Sequence, residues 1–219
     1  FNSSLHDTWA WKYCSTMGSG TLRYTPSDCF ITLPLPQNLF KEFVLHEIGE
    51  KYDRKRRQLM LKMQLGLTKT YNQFHNKQLS VVHDVLTENE IDKKHGKETL
   101  NLWKHLSRTA NTCPFNEAVE GILELRRLHK EMDEAVLSAY GWTDINLVHD
   151  FYEVDYLPEN DRIRYTISPA ARREILKRLL ELNHKIHAQE MEAEKQTAPA
   201  TKPRKGKKQN KNANQSSIF

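Results

Sequence analysis

The chain has 219 residues, of which 28% are charged and 38% hydrophobic, which is ordinary for a soluble protein of one or two domains. No apolar run approaches the roughly 20 residues of a membrane-spanning helix. The three cysteines are odd in number and widely spaced, which disfavours a disulfide framework and suits a reducing compartment. We therefore expect a cytoplasmic protein without a membrane partner.

The net charge of +5 is unevenly distributed along the chain. No acidic residue follows Glu194, and seven positive charges do, so residues 1–194 are close to neutral. The basic residues of this tail are Lys195, Lys202, Arg204, Lys205, Lys207, Lys208 and Lys211. Residues 195–219 contain too few branched apolar side chains to form a core, which predicts a disordered basic tail. Such a tail either holds phosphates non-specifically or only aids solubility.

The first residues predict a chain that lacks its beginning. Phe1 is not an initiator Met, and no basic and apolar leader follows it. Residues 1–38 combine an aromatic segment, a turn at Gly18-Ser19-Gly20, short strands over residues 21–24 and 30–33, and an exit through Pro34 and Pro36. We interpret them as the end of a domain whose missing strands would complete their burial.

Arg23 and Tyr24 are candidate DNA-binding residues within this segment. Aromatic rings beside basic side chains can stack on bases and contact phosphates, and an arginine that reaches a groove can read guanine with two hydrogen bonds. The alternatives are a core role for the aromatic rings and a salt bridge for Arg23.

The next helix is predicted over residues 39–65, because apolar side chains recur at three- and four-residue steps until Gly66. It carries a basic cluster with Asp53 as the single acidic member: Lys51, Arg54, Lys55, Arg56 and Arg57. This cluster is interpreted as a phosphate-facing ridge, and the alternative is a solvated helix face. Lys69, in a predicted polar link over residues 67–72, completes the set of DNA-binding candidates.

The remainder predicts more helices and one hairpin. Residues 75–113 are expected to be helical, and Asn116 is a good N-cap for a helix that ends at Gly141. Branched and aromatic residues at about 148–167 predict a β-hairpin, and Ser168-Pro169 starts a last helix that runs to about residue 194. The predicted fold is mainly α with a small β component (α+β), with a helical region over residues 39–194.

Motifs for chemistry are missing from the sequence. It has no C-x-x-C, H-E-x-x-H or complete Gly-rich phosphate loop, so we predict neither a metal site nor a catalytic residue. The nearest approach to a nuclease centre is Asp84 with Asp92-Lys93-Lys94, which we interpret as solvated surface.

A succession of motifs from residue 1 to about 190 resembles the carboxy-terminal end of large adenine-specific DNA methyltransferases of bacterial restriction-modification and phage-exclusion systems. The motifs, in order, are Leu22-Arg23-Tyr24-Thr25-Pro26, Pro34-Leu35-Pro36, Gly66-Leu67-Thr68-Lys69-Thr70-Tyr71-Asn72, Leu125-Arg126-Arg127-Leu128-His129, Ala139-Tyr140-Gly141-Trp142 and Arg164-Tyr165-Thr166-Ile167-Ser168-Pro169.

The resemblance implies that residues 1–38 close a target-recognition domain. The methyl-transfer core and its S-adenosylmethionine site would lie upstream, so no cofactor is expected on this chain. The implied partners are double-stranded DNA, the upstream core and other defence-system subunits, while residues 78–115 look like an insertion. Two alternatives remain: a helical interaction module of a defence complex, and part of a fused restriction endonuclease.

Overall fold

The computed structural model describes residues 2–18, 20–36, 43–82, 86–108 and 113–197, and it confirms a mainly α fold with a small β component. The elements in chain order are α1 (Ser4–Tyr13), β1 (Ser15–Met17), β2 (Thr21–Arg23), a π-helical turn (Pro26–Phe30), α2 (Phe43–Met63), α3 (Leu67–Phe74), α4 (Glu88–Arg108), α5 (Phe115–Ala139), β3 (Asp150–Glu153), a 3-10 turn (Glu159–Asp161), β4 (Ile163–Thr166) and α6 (Pro169–Thr197). Of the predicted basic tail, residues 195–197 belong to α6 and the rest lies outside the described residues.

The larger core joins α2 to α5, with α3 and α4 packed against them. Its buried side chains include Tyr52, Leu59, Met63, Phe74, Leu102, Leu106, Ile122, Leu125 and Leu128. The two main helices approach closely because Gly121 has no side chain: a Cβ there would lie 2.5 Å from Cδ1 of Leu59. This core fixes α2, whose basic residues were the predicted ridge.

The second core joins α1 to the end of α5 and to α6. Leu5 and Trp9 of α1 are buried among residues that include Leu137, Ile167, Ile175 and Leu179. The aromatic opening segment therefore packs within this chain, where we had expected its burial to need strands outside it. The strand predicted over residues 30–33 is wrong, because Pro26–Phe30 forms a π-helical turn that leads into a further turn.

The predicted hairpin and last helix are confirmed. Strands β3 and β4 pair antiparallel, from Asp150 opposite Thr166 to Glu153 opposite Ile163. Helix α6 begins at Pro169, as expected of a proline at the first position, and the Ser168 hydroxyl accepts a hydrogen bond from the Ala171 N–H at 3.2 Å.

Three local predictions are corrected. Residues 67–72 lie in α3 and do not form a polar link. The helix is stabilised because the side chains of Thr70, Gln73 and Phe74 are buried on one of its sides. Of the described residues between 75 and 113, those from Glu88 to Arg108 are helical (α4), with a break at Gly96 where φ is 75°, and residues 75–82 are not helical. The N-cap of α5 is Pro114, while Asn116 bonds the backbone N–H and C=O of Val82.

The short strand predicted over residues 21–24 is confirmed as β2, although its pairing with β1 was not predicted. The cysteine spacing disfavoured a disulfide, and this expectation is wrong for Cys14 and Cys29. Strands β1 and β2 pair antiparallel, and the disulfide joins Cys14 to Cys29, whose Cα atoms are 5.7 Å apart. The two cysteines are 15 residues apart in sequence, and the hairpin between them returns the chain so that they meet. All three cysteines are buried, and Cys113 is the free one.

Candidate functional site

The β1–β2 hairpin is anchored at its base and turn. Of its six strand residues only Leu22 is partly buried, against the small cluster of Ala10, Cys14 and Cys29. The turn contacts the β3–β4 loop, because a Cβ on Gly20 would lie 2.4 Å from Cδ of Pro158. The hairpin thus presents both faces to solvent while its two ends are held.

Arg23 is the last residue of β2, and the next residue, Tyr24, lines a cavity beside the hairpin. Arg23 is exposed and, among the described residues, forms no ion pair within 4 Å, although its charge acts on Asp28. The Tyr24 hydroxyl is 3.0 Å from Nε2 of His6, which holds a ring that stays 44% exposed at the cavity. Both side chains are therefore accessible to solvent.

The basic residues of α2 do not form one ridge. Arg56 and Arg57 share Asp53, at 2.6 and 2.8 Å, and Arg54 lies 3.9 Å from Glu50. Much of the cluster's charge is therefore already balanced. The Arg54–Glu50 pair is exposed, and exposed ion pairs contribute little stability.

The remaining candidate DNA-binding residues lie in different parts of the structure. Lys51 and Lys55 lie near Glu124 of α5, and their charges help to lower the pKa of that carboxyl after its hydrogen bond from Arg127. Arg56 faces the opposite flank of α2 and lines the cavity beside Tyr71. Lys69 is exposed on α3, on a separate depression shared with Glu98 and His105.

The cavity that Tyr24 lines has a volume of about 610 Å³, within the range of small-molecule sites. It lies between α1, α2, α3, the β3–β4 hairpin and α6. Its walls carry six aromatic residues outside histidine, Trp11, Tyr24, Tyr71, Phe74, Tyr156 and Tyr165, and three arginines, Arg56, Arg164 and Arg172. Most of these residues are far apart in the sequence, so no local motif predicts the cavity.

Asp7 is the carboxylate of this cavity that our sequence prediction missed. Water reaches it through the cavity, yet protein surrounds it on its other sides, and this burial raises its pKa to about 6 against the opposing charge of Arg172. The side chains of Trp11 and Tyr156 line the cavity with Asp7 and lie close enough to interact with its carboxylate. The rings of those two residues stack at 4.6 Å, so acceptor and aromatic wall form one unit.

His75 lines the same cavity, and its imidazole ring is neutral. Burial, together with the nearby charges of Arg164, His129 and Arg126, lowers its pKa to about 3. Its Nδ1 accepts a hydrogen bond from the Tyr165 N–H at 3.1 Å, which leaves Nε2 as the protonated nitrogen.

Arg126 fixes the helix that carries much of this wall. It is 7% exposed and donates to three carbonyls at the end of α3, those of Phe74, Gln73 and Asn76, at 2.9, 3.1 and 2.8 Å. A cation suits the carbonyl end of a helix. Burial lowers its pKa only to about 10, so the side chain stays charged and orients α3.

A serine, a histidine and an aspartate meet below the cavity in an arrangement that does not suit nucleophilic catalysis. Nε2 of His129 is 3.1 Å from Oγ of Ser4 and 3.5 Å from Oδ2 of Asp133. A Ser-His-Asp centre uses the two ring nitrogens separately, whereas here one nitrogen faces both partners and Nδ1 is buried without a partner. We interpret the group as structural.

Two structural findings concern metals and membranes. Within the described ranges, no three His, Cys, Asp or Glu side chains are grouped so as to hold a metal ion. Among the helices of the same ranges, none combines the length and apolar character needed to cross a membrane. Of the two aspartates nearest to a nuclease pattern, Asp92 is exposed on α4, and Asp84 lies outside the described residues.

Comparison of the chain with protein-family models, curated proteins and solved structures finds no match.

Proposed function

We propose that this chain binds double-stranded DNA and supplies part of the target recognition of an adenine-specific DNA methyltransferase. In this proposal the catalytic core and its S-adenosylmethionine belong to the parent protein. The methyltransferase context rests on the motif resemblance, and the DNA-binding role rests on one observation: the anchored hairpin that exposes Arg23.

The exposure of this hairpin on both faces supports the proposal. A two-stranded sheet gains stability when it buries one apolar face, but five of the six strand residues here are exposed. The disulfide at its base and the Pro158 contact at its turn hold it instead. A two-stranded ribbon fits the major groove of B-DNA, where an arginine side chain can read guanine.

The charges of α2 favour a secondary role for that helix. Because Arg56 and Arg57 already bind Asp53, they have less to gain from a phosphate than a free cation. Arg54, whose ion pair with Glu50 is loose at 3.9 Å, and the exposed Lys69 are less firmly paired, and they can position the chain on the DNA backbone while the hairpin contacts bases.

Fluorescence anisotropy with a labelled duplex tests the proposal over a range of salt concentrations. The full chain, a chain ending at Glu194 and an Arg23→Ala chain are compared. Removal of the tail should lower the affinity and flatten the salt dependence without abolishing binding. Arg23→Ala should weaken binding by a factor of about 5 to 100, the cost of one base contact, while Arg173→Ala, at an exposed arginine of α6, should change little.

A different outcome would contradict the proposal. If the tail carries all of the DNA affinity, and Arg23→Ala binds the duplex as tightly as Arg173→Ala, the hairpin does not contact DNA. The chain would then be assigned to the other class, a helical interaction module that touches DNA only through its tail.

A further inference from the structure

The cavity beside the hairpin has the chemistry of a site for a planar heterocycle. One wall is the stacked pair of Trp11 and Tyr156, and Tyr156 remains 36% exposed, so part of its ring is accessible to a ligand. Aromatic side chains bind nucleobases by stacking on their faces.

The arginines of the cavity are balanced by carboxylates of the protein. Arg164 lies 3.3 Å from Asp161, Arg56 lies 2.6 Å from Asp53, and the charge of Arg172 acts on Asp7. Because each guanidinium already has an acidic neighbour, the cavity does not require a polyanionic ligand to balance its charge. It favours an uncharged ring with hydrogen-bonding groups at its edge.

Asp7 supplies an acceptor for such an edge. Its carboxylate has four lone-pair positions in all, and the stacked rings of Trp11 and Tyr156 lie beside it in the same cavity. The accessible remainder of Asp7 faces the cavity, where an amino group of a ring could donate to it.

From this arrangement we infer that the cavity binds a nucleobase that carries an exocyclic amino group. Asp7 accepts from that amino group, and the ring stacks on the wall formed by Trp11 and Tyr156. Adenine, guanine and cytosine have the required amino group. Uracil and thymine offer only an imino N–H between two carbonyl oxygens, which repel a carboxylate. The inference does not depend on contact between the hairpin and duplex DNA.

NMR titration of the ¹⁵N-labelled full chain with adenosine, guanosine, cytidine and uridine tests the inference. The indole N–H signal of Trp11, assigned by its loss in Trp11→Phe, is the site-specific readout. The three amino nucleosides should shift it saturably, at least ten-fold more tightly than uridine. Asp7→Asn should reduce their affinity at least ten-fold, while Asp92→Asn, at an exposed carboxylate of α4 outside the cavity, should leave it unchanged.

A second arm distinguishes a free nucleoside from a base within a strand. It uses a pentathymidine strand and the same strand with one central adenine. Tighter binding of the adenine strand than of adenosine identifies a base within DNA, and the reverse order identifies a free nucleoside. The inference is overturned if no amino nucleoside or adenine strand shifts the Trp11 signal. It is also overturned if correctly folded Asp7→Asn, judged by its NMR spectrum, binds as tightly as the unchanged chain.

Discussion

The backbone N–H of Ser4 donates a 2.7 Å hydrogen bond to Oδ1 of Asp133, a carboxylate with no solvent exposure, and so joins the first turn of α1 to α5. Nε2 of His149 lies 2.8 Å from the other carboxylate oxygen. Burial disfavours the charged form of Asp133, but His129, His149 and Ser4 outweigh it and hold its pKa below the ordinary value. The ionised carboxylate is thus the junction between the two cores.

Replacement of Asp133 with Asn should lower the free energy of unfolding by about 2–4 kcal/mol, because an amide cannot accept hydrogen bonds on both sides. Urea unfolding followed by circular dichroism at pH 7 measures the loss. Glu134→Gln is the matched control, since Glu134 is the exposed neighbour with a loose 3.8 Å ion pair to Lys130, and it should cost less than about 0.5 kcal/mol. Equal losses in the two variants would contradict the junction role of Asp133.

His75 should make the fold sensitive to acid. Its pKa is about 3 in the folded chain and about 6.5 when unfolded, so the folded state binds this proton less readily. The stability that it contributes is present above pH 6.5 and is lost as the pH falls toward 3. His75→Gln should therefore show a flatter decline of the urea midpoint between pH 6.5 and 4 than the unchanged chain. His184→Gln, at an exposed histidine of α6, should follow the unchanged chain, and parallel curves for both variants would count against this account.

The contribution of Asp7 to stability should change with pH in the direction opposite to that of His75. Its folded pKa of about 6 is raised above the ordinary value of 3.8, so its contribution to stability is fully present below pH 3.8 and is lost as the pH rises through 6. Asp7→Asn should therefore be more stable than the unchanged chain at pH 7.5, by about 1 kcal/mol once solvent at the cavity is allowed for, and the gap should close toward pH 4. A less stable variant at pH 7.5 would show that Asp7 is chiefly a structural partner.

The sequence predicted the elements whose signals are local. The end of α5 at Tyr140 and Gly141 and the start of α6 at Ser168 and Pro169 depend on capping chemistry that can be read over a few residues. The β3–β4 hairpin was predicted in the same way, from strands of branched and aromatic residues around a turn.

The elements that were missed depend on distant partners. In α1 the aromatic residues alternate, with Trp9, Trp11 and Tyr13, and the helix is stabilised by burial of Leu5 and Trp9 against α6. The cavity is still less local, because Asp7 and Arg172 are separated by most of the chain. The spacing of charges along α2 did not reveal that Asp53 binds two of the arginines.

Gly20 gives a mutational test of how the exposed hairpin is held. Its φ of 98° disfavours any side chain, and a Cβ would also meet Pro158 at 2.4 Å, so Gly20→Ala should displace the turn and weaken duplex binding. Gly18→Ala is the matched control, because Gly18 has a φ of 61° and open space around it and should lose only about 1 kcal/mol. Anisotropy and urea unfolding measure both variants.

Pro158→Ala should partly restore the Gly20→Ala variant, because alanine lacks the Cγ and Cδ atoms that meet the new methyl group. Identical behaviour of Gly18→Ala and Gly20→Ala would show that the Pro158 contact does not position the hairpin.

Selection from a random duplex library tests the DNA-reading role of Arg23 most directly. The full chain, Arg23→Ala and Arg173→Ala are each used to enrich bound duplexes, which are then sequenced. We expect an enriched motif for the full chain and for Arg173→Ala. For Arg23→Ala we expect a loss of preference at one position, a guanine, at a cost of about 1–3 kcal/mol in discrimination. No enriched motif for the full chain, or an unchanged motif for Arg23→Ala, would contradict this role.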